Sequence, residues 1–404
     1  MPHPTVAQEG LRNAIEGDRA YSARQSPESR LPDSAMKLGP VLIQASLNYA
    51  LEWNDNIRNT ETDQKSDFIH RPEFNFRGEW AAIKDSRLTF GMGIGYQKYM
   101  DADSLDRFTI TPNSELAWDI HLKDFQVTLY DRVSRSQDVT SQGGLSGVAE
   151  FPRTENTLGF RTTWQPSSFR YEWGYSHYNF ISDSPASGST SFNYLNRSAE
   201  QFFARAAYQL AAITHLGIEG SGALTDYESV IQRDNQNVSI GPFVEWQIRP
   251  SIRLTLRGGY VTYFQDGSSV VTNTSQLHSY YAAADLKQEL TAHFNHLVSF
   301  RREISQGINE GGGLSESLTL NYSANWAFLN RATLTFDGLY QSGKEPRSGA
   351  VDEYDRFIAG GGVRWQVTRH LTTTAAYHYS NRDSVLPGLD YAVNTVILAA
   401  NYQF

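Results

Sequence analysis

Val41-Leu42-Ile43-Gln44-Ala45-Ser46-Leu47-Asn48-Tyr49-Ala50-Leu51-Glu52-Trp53 sets the period of the whole chain. Val41, Ile43, Ala45, Leu47, Tyr49, Leu51 and Trp53 alternate with Leu42, Gln44, Ser46, Asn48, Ala50 and Glu52. Successive side chains on a strand point to opposite faces, so one face of this segment is apolar throughout. The next segment repeats the pattern. Phe68, Phe74, Phe76 and Trp80 oppose Asp67, Arg71, Glu73, Asn75, Arg77 and Glu79. Leu88, Phe90, Met92, Ile94 and Tyr96 then oppose Thr89, Gly91, Gly93 and Gln97. Continued to Phe404, the alternation gives eighteen segments, most of 12 to 15 residues. Strands of soluble proteins usually run about 5–6 residues. A tilted strand crosses a bilayer in roughly 9–11. These segments are long enough to cross and project beyond.

The connections alternate in length. Short ones include 83–86, 121–124, 165–168 and 249–251; longer polar ones include 54–65, 136–152, 182–196, 266–275 and 343–353. Outer-membrane barrels have short periplasmic turns and longer external loops, and an even strand number puts both termini on the short-turn side. Trp80, Trp118, Trp164, Trp246, Trp326 and Trp365 all lie on the apolar face just before a short turn, with Tyr208 and Tyr402 in comparable places. An indole has an apolar body and a polar N–H, which suits the bilayer interface. These eight residues are therefore expected to form a periplasmic aromatic girdle. Tyr96, Tyr175, Tyr260, Tyr340 and Tyr377 fall nearer the opposite rim. A cation on the lipid face at mid-depth costs about 2–4 kcal/mol. The central apolar-face positions of the second, fourth, tenth, sixteenth and eighteenth segments carry no charge.

Alternation alone also fits a soluble sandwich, with the apolar face turned inward. Strand length and the tryptophan band favour the membrane. Several tryptophans recur at about 40 residues, as in a β-propeller repeat. Here, however, each period holds two long strands rather than four short ones. Pro72, Pro112 and Pro242 interrupt predicted strands, where proline removes a ladder hydrogen bond, and are expected to mark bulges.

Composition narrows the classes further. The 404 residues include no Cys, 13% aromatics, 20% charged residues and a net charge of −9; mean hydropathy is −0.48. No apolar run approaches the roughly 20 residues of a membrane helix. The aromatic load excludes a solvated coil, a disulfide scaffold is impossible, and the acidic balance argues against nucleic acid as a partner. Residues 1–38 differ from the rest, being rich in Arg, Glu, Ser and Pro, and contain no signal-peptide core. They are expected to be an N-terminal periplasmic extension or plug, and 39–404 the barrel.

The C-terminal pattern Val396-x-Leu398-x-Ala400-x-Tyr402-x-Phe404 resembles the closing signature of bacterial outer-membrane barrels. That resemblance implies an assembly signal in Tyr402 and Phe404, read by the barrel-assembly machinery. Tyr49-Ala50-Leu51-Glu52-Trp53-Asn54-Asp55-Asn56-Ile57, then Lys65-Ser66-Asp67-Phe68-Ile69 and Pro72, is similar to the first hairpin of the putative β-barrel porin 2 family. Tyr379-Ser380-Asn381-Arg382-Asp383-Ser384, then Asp390-Tyr391, is similar to its last. The resemblance spans most of 41–404. It implies an outer-membrane pore serving polysaccharide export, with a periplasmic export partner, and supplies no catalytic residues.

A barrel of eighteen strands is wide enough for an aqueous channel. Its lining would be the polar face: Arg71, Glu73, Arg77, Arg107, Glu115, Tyr130, Arg132, Arg161, Arg205, Arg253, Arg257, Arg301, Arg356 and Arg364, with Tyr178 among the aromatics. Rings of one charge sign select ions. Mixed signs such as these are expected mainly to pair and brace the wall. The 136–152 connection, with Gly143, Gly144 and Gly147, is the candidate constriction, although a solvated loop is the expectation. His378-Tyr379-Ser380-Asn381 resembles the motif of outer-membrane lipid hydrolases, in which His serves as base for a Ser nucleophile. No Gly follows Asn381, and His378 and Ser380 would face the lumen, away from lipid. His293 and His296 point to opposite faces, so no metal is expected, nor any cofactor.

The sequence thus predicts a closed, antiparallel, all-β transmembrane barrel of about eighteen strands. It would sit among outer-membrane lipid and lipopolysaccharide as a passive, non-enzymatic channel for polar solutes or saccharides. A structural barrel anchoring an envelope assembly is the alternative. A lipid hydrolase using His378 and Ser380 is the lesser one.

Overall fold

The computed structural model describes residues 36–81, 85–139, 142–183, 191–269, 271–311, 313–347 and 349–404. The expected extension over 1–38 therefore lies outside the described residues, apart from its last three. Among the described residues nineteen strands follow one another. They begin with β1 (Met36–Leu38), β2 (Val41–Asn54), β3 (Asp67–Trp80), β4 (Ser86–Tyr99), β5 (Arg107–Leu122) and β6 (Phe125–Ser136). Next come β7 (Arg153–Trp164), β8 (Phe169–Ser182), β9 (Arg197–Ala211), β10 (Thr214–Tyr227), β11 (Asn235–Arg249) and β12 (Ile252–Gln265). The chain ends with β13 (Ser275–Thr291), β14 (Phe294–Gln306), β15 (Leu314–Leu329), β16 (Ala332–Arg347), β17 (Ala350–Gln366), β18 (Leu371–Ser384) and β19 (Tyr391–Gln403). Among the described residues two single-turn 3-10 helices, Asp103–Leu105 and Asn193–Leu195, interrupt the connections. No helix of the described residues is long and apolar enough to cross a membrane.

Every strand from β2 onward pairs antiparallel with the next, and β19 pairs back onto β2 from Thr395↔Asn54 to Gln403↔Ser46. The result is a closed barrel of eighteen strands, β2 to β19. β1 is a three-residue appendage that folds back on β2, with Leu38 opposite Val41. Closure matters because hydrocarbon offers no water to an open strand edge. The outward residues of each strand are large, apolar and exposed, as at Leu216, Ile218 and Leu224 of β10 and Leu398 and Tyr402 of β19. Their neighbours one position along are buried or half-buried, as at Glu219, Ser221 and Thr225 of β10.

One end of the barrel carries the short connections, such as 123–124 between β5 and β6. Lys123 there takes a left-handed φ of 52° to reverse the chain. The other end carries the longer ones, with one exception that corrects the sequence expectation. Residues 343–353 are not a loop: β16 and β17 stay paired to Arg347↔Ala350. The turn is tight, and Gly349 supplies its positive φ of 78°. Its charged residues belong to strands projecting beyond the apolar belt; Lys344 and Glu353 pair across them at 2.6 Å.

The three prolines behave differently from one another. Pro112 does mark a bulge, with register shifts on both sides of β5. The Ser114 hydroxyl accepts a hydrogen bond from the Gly93 amide in the disrupted stretch. Pro72 and Pro242 instead interrupt a ladder without changing its register, between His70↔Lys98 and Glu73↔Gly95, and between Ile240↔Tyr260 and Phe243↔Arg257. Beside Pro242 the backbones nearly touch. A Cβ on Gly241 would lie 2.1 Å from the Gly258 carbonyl oxygen and 2.5 Å from the Gly259 Cα. Gly241→Ala must therefore push β11 and β12 apart, with an expected loss of about 1–3 kcal/mol. Urea unfolding of the refolded barrel measures it. Gly338→Ala, whose Cβ meets nothing closer than 3.8 Å, serves as the unaffected comparison.

Candidate functional site in the charged wall and the mouth

The densest group of charges lies on the inner face of β7 to β12. Glu172 stands directly opposite Arg205, and Arg205 directly opposite Glu219. Around them Arg161 reaches Glu172 at 2.6 Å, Arg170 reaches Glu172 at 3.0 Å and Glu245 at 2.8 Å, and Arg257 reaches Glu219 at 3.1 Å. Tyr281 donates its hydroxyl hydrogen to Glu219 at 3.3 Å. Four guanidiniums thus share three carboxylates. The Arg161, Glu172, Arg205 and Glu219 side chains are nearly buried. Their attraction is accordingly stronger than at a surface.

Glycines explain how these arginines are held. A Cβ on Gly174 or Gly217 would lie 2.5 Å from the ring of Phe203 or Phe243 respectively. Each ring therefore lies against bare backbone. The guanidinium of Arg161 sits 5.6 Å from the Phe203 ring centre, and that of Arg205 5.1 Å from the Phe243 centre. Glycine, ring and guanidinium lie one against the next, and the cation–π attraction helps hold the charge in place.

The remaining wall charges mostly pair locally. Arg132 binds Glu115 at 2.6 Å and lies over Tyr130 at 4.6 Å. Arg71 binds Glu52, Arg77 binds Glu79, and Arg301 binds Asp285. Glu73 accepts hydrogen bonds from Asn48 and Asn75. Arg356 is buried, opposite Gln341 on one side and Arg382 on the other. Arg253 and Arg364 lie exposed toward the short-turn end. Six of the expected girdle residues, Trp80, Trp118, Trp246, Trp326, Trp365 and Tyr402, are large exposed side chains near that end, as is Tyr208. Trp164 is more covered, stacked between Phe125 and Tyr171.

The β6–β7 connection is not a solvated loop, contrary to the sequence expectation. It crosses the mouth. Leu145 and Phe151 are buried in an apolar cluster with Val139, Tyr178, Phe180, Phe192, Leu195 and Ala199. The Gly143 carbonyl accepts a hydrogen bond from Arg382 at 3.0 Å, and the Gly144 carbonyl one from Arg347 at 3.3 Å. The Ser146 hydroxyl donates to the Leu389 carbonyl at 2.7 Å. Near its return Glu150, fully buried, pairs with Arg107 at 3.2 Å. The glycines let the backbone come close: a Cβ on Gly143 would strike Gln341 and Tyr354. The apolar residues Leu145 and Phe151 were the signal that this connection is buried; its glycine and serine content concealed them.

Arg382 and Asp352 anchor the far side. Both are fully buried and 2.7 Å apart, and Asp352 also accepts from the Ser384 hydroxyl at 2.6 Å. Neither was marked as a lining residue from the alternation, since their role depends on a loop from the opposite wall. Nearby, outside the strands, burial and the Glu310 and Glu345 carboxylates push the Tyr194 phenol up to about 12, against Arg347. The phenol therefore stays protonated and donates to the Ile308 carbonyl at 2.9 Å. His378 faces Asp337 across 3.3 Å, while the buried Ser380 hydroxyl has no hydrogen-bond partner among the described residues. The pair does not form a base–nucleophile contact.

The family model described as putative beta-barrel porin 2 matches residues 34–404. A search of curated proteins finds no match. Among solved structures, the chain is similar to Pseudomonas aeruginosa OpdK with vanillate, at 9% identity and a TM-score of 0.52, covering 90% of this chain and 99% of that one. It is also similar to P. aeruginosa OccK2 (OpdF), at 11% identity and a TM-score of 0.50, covering 90% and 97%. A BenF-like porin from Pseudomonas fluorescens Pf-5 has 12% identity and a TM-score of 0.50, covering 90% and 99%. At these identities the likeness is one of fold.

Removing one partner of a buried pair leaves an uncompensated charge and costs about 3–5 kcal/mol. Arg382→Met is expected to lose less than that in urea unfolding, since Asp352 keeps Arg347 at 3.4 Å, and to expose residues 142–148 to protease. Arg382→Met combined with Asp352→Leu should recover most of the stability but not the protease resistance, because the Gly143 tether stays broken.

Proposed function

The chain belongs to the putative beta-barrel porin 2 family and is an outer-membrane barrel with a porin-like fold; on that premise we propose that it is a passive channel for polar solutes. Its selectivity would lie in the inner wall. The observation that carries this reading is the cluster of four arginines sharing three carboxylates. A charged wall at reduced dielectric attracts counter-charged solutes more strongly than water-exposed charges do. Arg161 and Arg205, resting against Phe203 and Phe243, present positive charge along the path and favour anions over cations. The β6–β7 crossing narrows the path and sets size.

On this proposal the termini and the tryptophan band face the periplasm, and Tyr402 and Phe404 serve the barrel-assembly machinery. The other lining residues, Arg71, Glu73, Arg77, Arg107, Glu115, Tyr130, Arg132, Arg253, Arg301, Arg356 and Arg364, brace and shape the wall. Saccharides are the solute class we favour, with polysaccharide export through a periplasmic partner as the sharper form. It rests on the family's motifs in the first and last hairpins. A structural barrel anchoring an envelope assembly is the second reading, favoured by the loop that spans the mouth. It predicts a stable copurifying partner.

Single-channel recording in planar bilayers, with liposome swelling by neutral sugars, tests the channel. Arg205→Gln with Arg257→Gln leaves two guanidiniums against three carboxylates in the cluster. The reversal potential in a salt gradient should then shift from anion toward cation preference. Replacing residues 142–148 by a two-residue link should raise conductance severalfold. A folded barrel that never conducts, with or without that segment, would reject the channel and favour the structural reading.

A further inference from the structure

β13 and β14 are paired only up to Ala282↔Arg302, although both strands continue. Above that fork β14 parts from β13 but stays paired with β15 as far as Gln306↔Leu314. Ile304 and Gln306 share the outward parity of Phe300, yet both are buried. Ile304 packs against Val261 and Tyr263, which lie on the inner face of β12, and its carbonyl accepts the Tyr263 hydroxyl hydrogen at 3.0 Å. Gln306 exchanges two amide hydrogen bonds with Asn235 of β11, at 2.8 and 3.2 Å. The upper end of β14 therefore runs inside the barrel, beneath β11 and β12. It carries Ile308 to the mouth, where the Ile308 amide donates to Glu345 at 2.7 Å and the side chain packs on the cluster containing Leu145. The tucked strand and the β6–β7 crossing meet there.

Arg302 stabilises the fork. Its guanidinium lies 3.9 Å from the Tyr280 ring centre, donates to the Tyr280 carbonyl and to the Ser279 hydroxyl, and pairs with Glu316 at 3.0 Å. It thus serves a strand carbonyl that the next rung of the ladder would otherwise use. The sequence is equally suited to that rung. Continuing the register places Tyr281 opposite Glu303, Tyr280 opposite Ile304 and Ser279 opposite Ser305, and returns Ile304 to the outer face beside Tyr280.

We infer that the upper end of β14, with the start of β15 paired to it, is a gate hinged at Arg302. Tucked, it closes the mouth with the β6–β7 crossing; zipped onto β13, it restores the wall and withdraws Ile308 from the mouth. The inference rests on the channel reading. Zipping would exchange the Tyr263–Ile304 and Asn235–Gln306 hydrogen bonds of the tucked state for rungs to β13.

The chain has no cysteine, so paired cysteines report on this segment alone. Asn235→Cys/Gln306→Cys, bridged by a short bis-methanethiosulfonate, should hold the tucked state and lower conductance several-fold, with recovery on reduction. Ser279→Cys/Ser305→Cys, oxidised, should hold the zipped state and raise conductance several-fold. Asn235→Ala/Gln306→Ala should raise it without any cross-link. Heat-modifiable migration on gels verifies that each variant is folded. Conductance indifferent to the cross-links and to the alanine pair overturns the gate and leaves the channel reading standing. A barrel that conducts in no state overturns both.

Discussion

A hydrocarbon layer gives backbone N–H and C=O groups no partner but each other, and the rest of this structure depends on that constraint. It forces closure, so β19 must return to β2. It tolerates interruptions only where something else serves the freed groups. Ser114 does so for the Gly93 amide, and Arg302 for the Tyr280 carbonyl. Closure in turn sets the period. Because the wall is one strand thick, each residue faces either lipid or lumen, and the low mean hydropathy averages two surfaces of opposite character.

Period two is why the architecture was legible in the sequence. The apolar face of Val41–Trp53 needs no partner elsewhere in the chain to be recognised, because its partner is lipid. The same holds for the tryptophans at the short-turn end, whose position follows from their own strand. What failed was whatever depends on another element. Residues 343–353 look polar and loop-like, yet β16 and β17 stay paired to Arg347↔Ala350, since polarity beyond the apolar belt no longer distinguishes strand from loop. The β6–β7 connection looked solvated because its burial comes from Phe192, Leu195, Arg347 and Arg382, all distant in sequence. The prolines showed the same limit: Pro112 makes a bulge, whereas Pro72 and Pro242 keep register because the neighbouring strand accommodates them.

The inner charges were legible as a set but not as a network. Alternation placed Arg161, Arg205 and Arg257 on one face. It could not show that Glu172 and Glu219 stand opposite Arg205 on its two neighbours, since that depends on strand register. Nor could it show Asp352 and Arg382 as the far anchor of a crossing loop. Most wall charges brace, as mixed signs suggest. The densest group is the one in which Arg205 bridges Glu172 and Glu219.

The rings lying on glycines carry a consequence for how this wall can vary. Phe243 occupies the space that a side chain at Gly217 would need, and Phe203 the space above Gly174. A backbone carbonyl stands as close as each ring, that of Ala206 to position 217 and that of Phe160 to position 174, so the glycine is needed whatever residue fills the ring position. Each ring also carries an arginine. The ring can therefore be exchanged where the glycine cannot, and substitutions along this wall should spare 174 and 217 even where 203 and 243 vary.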